Sequence, residues 1–94
     1  MWASDATVHA TSREMPNYPV LLRGLKIGGK VKLRLTVSPD GKVQQATIEG
    51  GNPMLAELSC IAARKWKYSE GTGTSKVAVE LVFDPMASKP HLVE

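Results

Sequence analysis

Ninety-four residues, 43% of them hydrophobic and 22% charged, describe one small domain, and a chain this short buries only roughly 60–65% of its unfolded surface. A lone cysteine, Cys60, excludes an internal disulfide, so the hydrophobic core alone must hold the fold. The formal charge of +3 comes from scattered lysines and arginines, which admits an anionic partner but fits the solvated face of a sheet better.

Residues 1–14 read as a flexible arm, with Ala6, Val8 and Ala10 alternating weakly with Thr7 and His9. Met1-Trp2-Ala3-Ser4 looks like the start of a cut piece, and no apolar run reaches the roughly 18 residues of a membrane span, so any anchor is expected upstream. In Met15-Pro16-Asn17-Tyr18-Pro19 the two prolines forbid a helix and push Met15 and Tyr18 toward extended backbone. A short helix is expected from Val20 to Lys26, with Pro19 at its start and Gly28-Gly29 ending it.

Val31, Leu33, Leu35 and Val37 alternate with Lys32, Arg34 and Thr36, the period of a strand with one buried and one wet face. Pro39-Asp40-Gly41 reverses the chain and Lys42-Val43 starts the return, so residues 30–48 form a β-hairpin. On the return strand the apolar parity shifts from Val43 to Ala46 and Ile48. One extra residue near Gln44-Gln45, a β-bulge, would bring both back to the core.

Glu49-Gly50-Gly51 breaks the chain. Asn52 is the expected N-cap and Pro53 the first residue of a helix running to about Trp66. Met54, Leu55, Leu58, Ile61, Ala62 and Trp66 share its expected apolar face. Cys60 falls off that face, so it is either partly exposed or the helix is rotated. After the loop of residues 69–75, Val77, Val79, Leu81 and Phe83 alternate with Lys76, Ala78, Glu80 and Val82 as a third strand. Asp84-Pro85 ends it, and residues 86–94 read as a loose tail.

The fold class is therefore α+β: a three-stranded antiparallel sheet of order 2-1-3, covered by one main helix, with a short helix before the first strand. Residues 15–85 carry the domain. In this order the third strand is a terminal edge with unpaired backbone groups.

Several of these stretches resemble the TonB C-terminal domain family of Gram-negative energy transducers. Pro16-Asn17-Tyr18-Pro19 is similar to that family's Pro-Gln-Tyr-Pro, and Gly29-Lys30-Val31-Lys32-Leu33 to its approach to the first strand. Val37-Ser38-Pro39-Asp40-Gly41-Lys42-Val43 resembles its hairpin turn, Asn52-Pro53-Met54-Leu55 its helix start, and Arg64-Lys65-Trp66-Lys67-Tyr68 its helix end. Met15 and Asn17 depart from the glutamines frequent there.

The resemblance implies a periplasmic domain of an inner-membrane-anchored protein. Such a domain binds the TonB-box segment of TonB-dependent outer-membrane transporters by β-strand addition and passes on force from a proton-driven motor. The implied edge is Lys76, Val77, Ala78, Val79, Glu80, Leu81, Val82 and Phe83. Further partner contacts are implied for Arg13, Pro16, Asn17, Tyr18 and Pro19. The same module would also suit the extracytoplasmic end of a membrane-bound regulator of the peptidase-receptor type.

The residues offer blander roles too. Trp66 and Tyr68 fit core packing, Tyr18 fits an anchor beside its prolines, and Lys32, Arg34 and Lys76 fit a wet sheet face. Nucleic-acid binding on that face would want exposed aromatics, and its outward positions hold Lys32, Arg34, Thr36, Ala78 and Glu80 instead. No catalytic constellation is present: Cys60 has no paired histidine, and His9 and His91 lack ligand spacing. No cofactor is expected. An open edge could also pair with a second copy, giving a homodimer.

Overall fold

The two longest strands lie side by side because their inward residues agree in period and register. In a computed structural model describing residues 10–93, β2 (Gly29–Val37) runs antiparallel to β5 (Ser75–Phe83) along its whole length, from Gly29 opposite Phe83 to Val37 opposite Ser75. Val31, Leu33, Leu35 and Val37 of β2 and Val77, Leu81 and Phe83 of β5 are buried on one face. On the other face Lys32 stands opposite Glu80 and Thr36 opposite Lys76, whose amine donates to the Thr36 hydroxyl at 3.1 Å.

β3 (Val43–Gly50) flanks β2 and β6 (His91–Val93) flanks β5, giving the order β3-β2-β5-β6. The α+β class and the expected order of the three long strands are therefore observed, with a fourth strand added. Two expectations about the ends are corrected. Residues 91–93 pair with β5 instead of trailing as a tail, and β1 (Ala10–Ser12) pairs antiparallel with β4 (Lys67–Tyr68) where an unstructured arm was expected. Ala6 and Val8, which carried the weak strand signal, lie outside the described residues.

The bulge falls where the parity shift placed it. Thr36 faces Gln45 while Val37 faces Val43, so Gln44 is the extra residue. Glu49 is a second one, between the Leu33–Ile48 and Lys32–Gly50 pairs. Ala46 is half-buried against the core, but Ile48 stays exposed, contrary to expectation. At the turn Gly41 adopts φ 88° and donates to the Ser38 carbonyl at 2.9 Å. Its own carbonyl accepts from the Tyr68 amide at 2.8 Å, and a Cβ there would meet the Tyr68 carbonyl oxygen. Only glycine lets the hairpin tip dock on β4 this closely.

α2 (Pro53–Ala63) starts as its sequence dictates: the Asn52 side chain accepts from the amides of Met54 and Leu55 at 2.9 and 3.3 Å. It ends in a tighter turn, Lys65 donating to Ala62 and Trp66 to Ala63, which accounts for helical periodicity persisting to Trp66. The expected buried face is rotated. Leu55, Ala62 and Trp66 of the expected face are buried, but so are Ala56, Ser59, Cys60 and Ala63 beside it, while Met54 and Ile61 are each about half exposed. Small side chains let the helix axis approach β2 and β3 closely, so the sheet selects the small face over the large one.

α1 (Val20–Gly24) is shorter than expected and ends before the glycine pair. Ile27 donates to Leu22 and Lys26 to Arg23, with Lys26 at φ 61°. This is a Schellman close with lysine at the left-handed position that glycine usually fills.

Candidate functional site

β5 was expected to be fully open on its outer side, and this is corrected over a third of its length. Val93, Leu92 and His91 pair with Glu80, Leu81 and Val82. Among the described residues, Lys76, Val77, Ala78 and Val79 have β2 as their only strand neighbour. The closing strand is three residues long: Leu92 reaches the core as a half-buried residue, and Val93 remains 43% exposed. Nothing in the sequence marks β6 strongly, since three residues cannot establish a period of two.

The residues implied as further contacts form an extended strap beside α2. Tyr18 is buried: its ring meets Phe83 edge to face, 5.1 Å between centroids, and its hydroxyl donates to the Ile27 carbonyl at 2.6 Å. Burial pushes this hydroxyl above its ordinary range, and the Asp84 carboxylate adds to the push against an opposing Arg23. Tyr18 thus fixes the strap to the far end of β5. Pro16 is also buried, Pro19 half-buried, and Asn17 and Arg13 exposed. At the other end the Trp66 indole N–H donates to the Glu14 carbonyl at 2.6 Å, so the buried Trp66 anchors the strap from inside the core. Tyr68 is buried as well. The structure therefore brings the strap to the end of β5 and leaves Arg13, Glu14 and Asn17 as exposed polar side chains along it.

The wet sheet face is a set of cross-strand pairs. Arg34 reaches Glu49 at 2.7 Å on neighbouring strands, both side chains about two-fifths exposed, so screening leaves the pair little net effect. Cys60 lies under α2 with its sulfur 4.0 Å from the Ala46 carbonyl, and burial pushes its thiol pKa up, away from the reactive thiolate. Among the described residues, no three His, Cys, Asp or Glu side chains are grouped to hold a metal ion, and no helix is long and apolar enough to cross a membrane.

The architecture is a helix laid across a small antiparallel sheet, with one long strand only partly covered at its outer edge. Residues 14–84 match the family described as Gram-negative bacterial TonB protein C-terminal, and the chain belongs to that family. It is 36% identical to Protein TonB of Escherichia coli K12 over 76 residues, covering 79% of this chain and 32% of that protein. It is 34% identical to Protein TonB of Salmonella typhimurium LT2, covering 79% of this chain and 31% of that protein. It thus spans about a third of the length of these curated relatives. The solution NMR structure of the Pseudomonas aeruginosa TonB C-terminal domain superposes with a TM-score of 0.72 at 20% identity, covering 85% of this chain and 88% of that one, which supports the fold.

Proposed function

We propose that this is the periplasmic end of a TonB-like energy transducer anchored in the inner membrane. It binds an extended TonB-box segment of an outer-membrane transporter as an added strand on β5, and it hands on force generated by a proton-driven motor in the inner membrane. The observation carrying this reading is the state of the β5 edge. Residues 76–79 have no outer strand neighbour among the described residues, and residues 80–82 are held by only three residues of β6.

About five added main-chain hydrogen bonds, at a net ~0.5–1.5 kcal/mol each, give several kcal/mol, and ordering the peptide takes back roughly 2–5 kcal/mol. Backbone pairing alone is therefore weak, as suits a grip that must release, and side chains of the strap near Tyr18 are left to add to it. An incoming strand that uses residues 80–82 must also displace β6. Docked β6 then lowers the apparent affinity by the fraction of molecules in which the edge is closed.

Calorimetric titration with a TonB-box peptide tests the reading. Removing residues 90–94 should tighten binding by about tenfold, the equivalent of ~1.4 kcal/mol of β6 docking. Val79→Pro should abolish binding, with an unchanged far-UV spectrum as the control that the strand persists. Unaltered affinity in both variants would place the peptide elsewhere.

A further inference from the structure

α2 presents two apolar faces, and the sheet uses one. The small residues Ala56, Ser59, Cys60 and Ala63 are buried beneath it, while Leu58 is only half-buried and Ile61 stays 47% exposed. Leu58 and Ile61 line a cleft of about 600 Å³ between α2 and the strap of residues 14–18. That volume takes several side chains, and its size falls within the range of roughly 300–1,000 Å³ typical of ligand clefts. The walls are held apart at fixed points: Trp66 holds Glu14 at one end of the strap, and Tyr18 holds Ile27 at the other.

The charge of the lining is lopsided. Lys65 and Lys89 supply two amines against the single carboxylate of Glu14, and neither side-chain amine has an ion-pair or hydrogen-bond partner among the described residues. The cleft is also tied to the closed end of β5. Lys89 stands two residues before His91, where β6 begins, and Tyr18, another lining residue, packs on Phe83, where β5 ends.

We propose that this cleft binds the acidic, apolar flank of the same partner segment that adds to β5, with an apolar side chain against Leu58 and Ile61 and carboxylates answered by Lys65 and Lys89. This rests on the strand-addition reading and states what chemistry the partner carries beyond its paired stretch. It also supplies the side-chain contacts that backbone pairing alone lacks.

The test uses two synthetic peptides, a neutral one of alternating valine and threonine and the same peptide extended at each end by Glu-Leu-Glu. Each is titrated calorimetrically at low and high salt. In the unaltered chain the flanks should tighten binding by about threefold to tenfold at low salt, and the gain should shrink at high salt. Lys65→Glu/Lys89→Glu should remove the gain while leaving the neutral peptide's affinity unchanged. Lys30→Glu/Lys42→Glu changes the net charge equally and should keep most of the gain, which separates the cleft from general attraction to a basic chain. If both peptides bind equally well and the cleft variant changes neither, the cleft proposal is overturned and the edge reading stands. If neither peptide binds, even to the chain cut after Lys89, the edge reading fails and the cleft proposal falls with it.

Discussion

Lys26 shows how a single residue can hold a backbone position that suits another. It closes α1 at φ 61°, where a Cβ costs roughly 1 kcal/mol relative to glycine. Its side chain is exposed, so little packing is lost on substitution. Lys26→Gly should therefore raise stability by about 0.5–1 kcal/mol, read as a higher denaturant midpoint at unchanged slope. Asp40 makes the opposite kind of contribution, through its charge. Its carboxylate accepts from the Ser38 hydroxyl and from the Lys42 amide, and these bonds, the Ser38 one first, hold its pKa below the usual carboxylate range. A depressed pKa means the turn's support is present above the ordinary aspartate value and is lost as pH falls through the folded-state value. The protection of the Lys42 and Gly41 amides, measured as exchange relative to the intrinsic rate at each pH, should thus fall as acid protonates Asp40, and Asp40→Ala should remove that loss of protection with pH.

At the scale of elements, α2 separates what a sequence states locally from what packing decides. The Asn52 cap, the Pro53 start, the hairpin and the Gln44 bulge were all legible, because each is determined by residues within a few positions. The helix phase was legible only in part, in Leu55, Ala62 and Trp66. A periodic apolar set was present in Met54, Leu58 and Ile61, but close approach to the sheet rewards small side chains, and that preference exists only once the sheet is built. Ala63→Leu should accordingly cost about 1–3 kcal/mol by overpacking, whereas Ile61→Ala should stay within about 1 kcal/mol, the reverse of what the sequence pattern implies. Thermal unfolding of both variants reads the difference. β4 and β6 escaped notice for a different reason. Strands of two and three residues have no periodicity to detect, and they exist because longer elements leave edges for them to pair with.

For the whole molecule, the candidate edge was legible as an edge but not in its extent. The alternation of Val77, Val79, Leu81 and Phe83 located β5, and strand order placed it outside β2. That the chain's own residues 91–93 cover a third of it depends on the 84–90 connection turning back, with Pro90 buried, which no local pattern announces. Under the proposed function, one edge has two competitors, the domain's own β6 and an incoming segment. An amide shift map of the isotopically labelled chain, titrated with a TonB-box peptide, tests this most directly. The account predicts changes concentrated on residues 76–83, with residues 91–93 moving toward unstructured shifts as they leave and the strap of residues 14–18 responding beside them. Changes confined to the outer edge of β3, or binding on β5 that leaves residues 91–93 undisturbed, would contradict it.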